Sequence, residues 1–177
     1  MSAALPIAAI VHPPKRDAGP FLREAAFALA ARGVVLGGVL PVLPDAAAAE
    51  SCALELEDVI SGERFHLTQN LGSGSTACRL DPGALAGAAA AARRALDGGA
   101  QLLLFNKFGA LEAAGQGLRQ EMGQAVVRGT PVLTTVAERF VPDWQAFTGG
   151  RATLLRLDDL DAVQAWWQTL RTTAAAG

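Results

Sequence analysis

Residues 69–81, "QNLGSGSTACRLD", concentrate the groups that wrap an anion. Gly72 and Gly74 admit positive φ and let backbone N–H groups turn inward. Ser73, Ser75 and Thr76 add hydroxyl donors, and Arg79 brings the planar fork of a guanidinium. A helix starting at Pro82 would add the positive end of its dipole. The same composition also makes a plain surface turn, in which Ser and Thr satisfy their own backbone. Arg79 beside Asp81 likewise reads as a local ion pair of small energetic weight.

A second constellation is "LLLFNKFGALE", residues 102–112. An apolar strand that ends in acidic residues holds Mg²⁺ in nucleotide hydrolases. Here the strand ends in Asn106 and Lys107, an amide and an ammonium, which donate to an anion rather than recruit a cation. A third loop, "VHPPKRDAGPF", follows the first apolar run. A triphosphate cradle of the form G-x-x-x-x-G-K-[ST] would belong there, but Pro13 and Pro14 bring no backbone donors. Lys15, Arg16 and His12 are in reach of a ligand there, and a solvated charge cluster is the plainer reading. Glu112, Gln116 and Arg119 follow an i, i+4, i+7 spacing that either closes the site or faces solvent.

These residues need elements to position them. Apolar runs at residues 5–11, 34–40, 101–106, 130–136 and 153–157 read as strands buried on both faces. Helical patterns fill residues 21–32, 82–96 and 112–128, with Gly33 stopping the first and Pro82 suited to the first turn of the second. A closing helix is expected after Asp158 as its cap, with Leu160, Val163, Trp167 and Leu170 on the core side and a frayed Ala-rich tail after Arg171. Residues 54–67 alternate around "SGE" as a two-stranded hairpin, and residues 45–50 form an Ala-rich loop. Trp144, Trp166 and Trp167 are expected in the core or an interface. The alternation predicts one three-layer α/β domain, a mainly parallel sheet carrying a β-hairpin insertion. Ligands of such sheets lie beyond the carboxyl ends of the strands, which is where the three loops should meet.

The totals exclude several classes. A chain of 177 residues with 51% apolar residues can bury a real core. A net charge of −2 gives no electrostatic footprint for nucleic acid or an anionic membrane, so an anion site has to be local. Apolar runs stop well short of the roughly 20 residues of a membrane span, and the N-terminus has no basic region of a signal peptide. Cys52 and Cys78 lack metal-type spacing and fit reduced thiols in a cytoplasmic protein, and two histidines do not make a multi-histidine metal site.

At "LELEDVISGERFHLTQNLGSGSTACRLDPGAL", "LLLFNKFGALEAAGQGLRQEM" and "GTPVLTTV" the chain resembles the bacterial domain-of-unknown-function family 2478, over nearly its whole length. That family is similar to thermophile-type P-loop nucleoside-triphosphatases, which implies a P-loop-NTPase-like (Rossmann-like) fold. The chain departs from the hydrolase pattern at residues 11–19, where no Walker A sequence stands, and at Asn106-Lys107. Family members are often encoded beside molybdate transport genes, which implies molybdate or tungstate as the bound oxyanion.

The resulting expectation is a cytoplasmic oxyanion-binding protein linked to molybdenum homeostasis, leaning away from an enzyme. Gly72, Ser73, Gly74, Ser75, Thr76, Arg79, Asn106 and Lys107 would hold the anion, with Lys15, Glu112 and Arg119 in support, no catalytic residue and no metal cation. Two alternatives stand beside it: a nucleotide-binding phosphohydrolase or phosphotransferase, and a non-catalytic assembly subunit. The partners expected are a small inorganic anion and a second copy of the chain in a two-fold dimer.

Overall fold

In the computed structural model, which describes residues 3–43, 54–70 and 78–176, the apolar runs form the centre of a seven-stranded sheet. Its strands are β1 (Ile7–His12), β2 (Leu36–Pro41), β3 (Glu55–Asp58), β4 (Arg64–His66), β7 (Leu102–Leu104), β8 (Val132–Ala137) and β9 (Thr153–Arg156). Their order is β4-β3-β2-β7-β8-β1-β9. β1 runs parallel to β8 and β9, and β7 runs parallel to β2 and β8. The hairpin β3–β4 adds antiparallel to β2, so the sheet is mainly parallel with a hairpin appended. Asp58 shapes the hairpin turn by accepting from Ile60 N at 3.1 Å and Ser61 Oγ at 2.7 Å.

Both sheet faces are covered, and alternate residues of one strand serve opposite layers. Ile7 and Ala9 belong to a core shared with α2 (Pro82–Asp97) and α4 (Arg119–Val127), whereas Ala8 and Ile10 pack with α1 (Gly19–Ala31) and α6 (Leu160–Ala176). This double burial is why the strands read as unbroken apolar runs. α1 buries Phe21, Leu22, Ala25, Ala26 and Leu29 at helical spacing and ends before Gly33, whose φ is 86°. α2 seats an alanine face close to β2, where a side chain on Gly37 would come 2.5 Å from Ala95 Cβ. Trp144 of α5 (Val141–Thr148) is fully buried, with its ring 5.3 Å edge-on to Phe108. No described helix is long and apolar enough to cross a membrane.

Three expectations change. The helix expected over residues 112–128 is two helices, α3 (Ala110–Ala113) and α4, because Gly115 at φ 86° and Gly117 at φ 62° turn the chain out of helix. Glu112, Gln116 and Arg119 therefore share no helical stripe: Glu112 is buried and Gln116 is exposed. The cap of α6 is Asp159, whose Oδ1 accepts from Ala162 N at 3.0 Å. Asp158 instead sits at φ 66° and pairs with Arg16 at 2.8 Å. The tail expected to fray after Arg171 is helical to Ala176, with Thr172 and Thr173 hydroxyls donating to carbonyls four residues back.

Candidate functional site: a cleft at the carboxyl ends of the central strands

The glycine-rich loop does not open a helix directly. Strands β5 (Thr68–Asn70) and β6 (Cys78–Leu80) pair antiparallel, with Asn70 opposite Cys78, so the intervening residues join two strands of a ribbon. Gly72, Ser73, Gly74, Ser75 and Thr76 lie outside the described residues, as does Cys52. The helix end behind the ribbon is already served by Asp81, whose Oδ1 accepts from Gly83 N at 2.9 Å and Ala84 N at 3.2 Å. The first-turn amides that a bound anion would use are thus taken by the cap.

A cleft of about 630 Å³ opens instead where β1, β7 and β8 end. β1 delivers His12 and the loop with Lys15, Arg16 and Asp17, β7 delivers Asn106 and Lys107, and β8 delivers Arg139. Four cationic residues (Lys15, Arg16, Lys107 and Arg139) and two acidic ones (Asp17 and Glu112) thus line one opening. The chain as a whole carries −2, so the positive charge here is local. The rest of the lining is largely apolar, including Leu54, Leu67, Leu80, Leu85, Leu118 and Phe140.

The strand end that presents Asn106 and Lys107 departs from regular pairing. Leu104 pairs with Leu133, and the next pair is Phe108 with Val136, so four steps on one strand meet three on the other. The Asn106–Lys107 peptide is cis. Phe105 and Phe108 anchor the excursion, being fully buried and donating from N to Leu133 O at 3.1 Å and Thr135 O at 3.0 Å. Asn106 is buried while Lys107 is exposed at the rim.

Glu112 is the buried ionisable group of the cleft, at 7% exposure. Its Oε2 has no hydrogen-bond partner. Burial pushes its pKa up to about 7, against the smaller opposing pull of the amides of Glu112 and Gly109 and of the Lys107 ammonium. Arg119 supports this residue from behind: its Nη1 donates to Glu112 O at 3.1 Å while the guanidinium lies 4.9 Å over the Phe147 ring. Arg16 is held at the rim by Asp158, and Arg139 lies 4.8 Å over the Phe140 ring.

The model for the family described as proteins of unknown function (DUF2478) matches residues 7–166. The chain belongs to this family. A curated relative, the molybdenum import ATP-binding protein ModC 2 of Bradyrhizobium diazoefficiens, is 36% identical over 162 residues. The match takes in 92% of this chain but only 18% of that relative's length. The solution structure of a human cancer-related nucleoside triphosphatase superposes with a TM-score of 0.64 at 15% identity, covering 99% of this chain and 100% of that one. The fold of this DUF2478 chain is thus that of P-loop nucleoside triphosphatases.

Of the residues expected to bind, the fold brings Asn106 and Lys107 together with Lys15 and Glu112. It does not bring Arg79 with them. Arg79 is exposed on β6, next to the cleft-lining Leu80, and successive strand residues face opposite ways. Arg139 was not expected at all. The same carboxyl-end rule that singled out Lys107 applies to "TPVLTTVAER", where Arg139 follows the apolar run by three positions.

Proposed function

We propose that this DUF2478 chain binds a tetrahedral oxyanion in the cleft at the carboxyl ends of β1, β7 and β8, with molybdate or tungstate as the ligand. One observation carries the reading: Lys15, Lys107 and Arg139, with Arg16 paired to Asp158 at the rim, line one cleft of a chain whose net charge is negative. Charged donors hold a dianion far better than neutral ones, since stripping water from an anion without compensating charge is costly. The choice of metal oxyanion rests on the name of the 36% identical relative, a molybdenum importer component. Asn106 would contribute an amide donor and Lys107 an ammonium, while His12 stands at the end of β1 beside them. Calorimetric titration with molybdate, tungstate, sulfate and phosphate tests it. Saturable heat with molybdate or tungstate is the expected result, and neither heat nor thermal shift with any of the four would end the proposal.

A nucleotide is the second reading, favoured by the size and the leucine-rich wall of the cleft. At about 630 Å³ it has room beyond one tetrahedral anion, within the range of small-molecule sites. The relative's name includes ATP binding as well. Titration with ATP and ADP separates the two readings, because a nucleotide would need the apolar wall and a bare oxyanion would not. Mg²⁺-dependent phosphate release lost in Glu112→Gln would favour the enzyme.

A further inference from the structure

A buried carboxyl beside Lys15, Lys107 and Arg139 in one cleft is an unusual companion for an anion. Glu112 lines the cleft, is more than nine-tenths buried and leaves Oε2 without a hydrogen-bond partner. Its carboxyl packs against the backbone at Gly117, where a Cβ would stand 2.2 Å from Oε2, so the group is held in place by the turn between α3 and α4. The charged and titratable groups around it come from every element that forms the cleft. Lys107 lies before α3, Arg119 holds the Glu112 carbonyl from α4, His12, Lys15, Arg16 and Asp17 extend from β1, and Arg139 extends from β8.

We propose that Glu112 is the residue that decides which class of tetrahedral anion the cleft accepts: as a neutral acid it donates a hydrogen bond to a fully deprotonated dianion, and as a carboxylate it repels that dianion but accepts the proton of a hydrogen-phosphate-type anion. The inference rests on the oxyanion reading above and deepens it. Molybdate, tungstate and sulfate are proton-free near neutrality and can only accept, so each needs the neutral acid opposite it. Hydrogen phosphate carries one O–H and can donate to the ionised group. A carboxyl held in place with one unpartnered oxygen therefore makes selectivity a matter of one proton. Burial places the changeover at about pH 7, so one proton is taken up with each molybdate bound above that pH.

The test is the affinity of the whole chain for molybdate and for inorganic phosphate between pH 6 and pH 8, by calorimetry in buffers of differing ionisation heat. Molybdate binding should weaken about tenfold across that range, as one linked proton requires, while phosphate binding does not weaken. In Glu112→Gln, whose amide donates at every pH, molybdate binding should be nearly flat with pH. His12 also lines the cleft, where it acts on both anions alike. His12→Asn should therefore keep the difference between the two anions. Molybdate binding that is flat in the parent, or a slope unchanged in Glu112→Gln, overturns the inference and leaves oxyanion binding standing. Absence of binding by every anion at pH 6 overturns both.

Discussion

Glu112 and Gly117 are fitted to each other. A Cβ at Gly117 would fall 2.2 Å from Glu112 Oε2 and 2.7 Å from Glu112 Cδ, and Gly117 holds φ at 62°. The break between α3 and α4 thus both ends a helix and makes the space in which a carboxyl is buried at the cleft. Its desolvated state follows from that packing, with Arg119 fixing the carbonyl of the same residue at 3.1 Å.

Gly117→Ala should be costly for two reasons that add. A left-handed φ is unfavourable for alanine, and the new methyl occupies the place of Glu112 Oε2. A loss of roughly 1–3 kcal/mol is expected, read from chemical denaturation. Glu112 should also be displaced toward solvent and titrate closer to an ordinary glutamate, as ¹³C-detected NMR titration would report. Unchanged stability together with an unchanged Glu112 titration would contradict the fit.

Glu112 should make stability depend on pH. Its folded pKa of about 7 lies above the ordinary glutamate value of 4.5, so between these values the folded chain holds a proton that the unfolded chain has released. The stabilising contribution is fully present below about pH 4.5 and is lost as pH rises through 7. The size is on the order of 3 kcal/mol. Glu112→Gln should therefore gain stability relative to the parent on going from pH 5 to pH 8. Urea denaturation of both proteins at the two pH values checks it, and a parent–variant difference that is the same at both would contradict it.

Much of the scaffold was legible because double burial writes itself as unbroken apolar runs, as in "LLLF" and "VLTTV". The position of Asn106 and Lys107 followed from the same runs and the carboxyl-end rule. Less legible was anything set by a single backbone turn. Glycines at 115 and 117 leave the apolar spacing of residues 111–125 looking like one helix, and only the φ values divide it. The burial of Glu112 was hidden for that reason, since one helical stripe would have given Glu112 and Gln116 the same surroundings, at the site or in solvent. Arg79 stands apart from the cleft lining because β6 intervenes between the glycine loop and α2, and it is the neighbouring Leu80 that lines the cleft.

The two aspartates before α6 should behave oppositely although they are adjacent. Asp159 caps the helix through Ala162 N, so Asp159→Ala should cost about 1 kcal/mol. Asp158 holds a left-handed φ of 66° and an exposed ion pair with Arg16, of which the first is unfavourable and the second contributes little. Asp158→Gly should be neutral or mildly stabilising, by up to roughly 1 kcal/mol. Thermal melts of the two variants decide it, and a larger loss from Asp158→Gly than from Asp159→Ala would show the cap to be misassigned.

Cleft and ribbon can be told apart as anion sites by three single substitutions. Lys107 and Arg139 line the cleft from the ends of β7 and β8, and both are exposed and outside the core. A charge-assisted hydrogen bond contributes about 1.5–3 kcal/mol, so Lys107→Ala or Arg139→Ala should weaken molybdate binding roughly tenfold to a hundredfold. The melting temperature of the ligand-free variants should stay close to that of the parent, since both side chains are exposed. Arg79 lies on β6 outside the cleft lining, and Arg79→Ala should leave affinity unchanged. The opposite pattern, with Arg79→Ala weakening the anion and Lys107→Ala and Arg139→Ala binding as the parent does, would move the site from the cleft to the glycine-rich segment beside β6. Raised salt should weaken parent binding more than Lys107→Ala binding, because screening acts on the charge that the variant has lost.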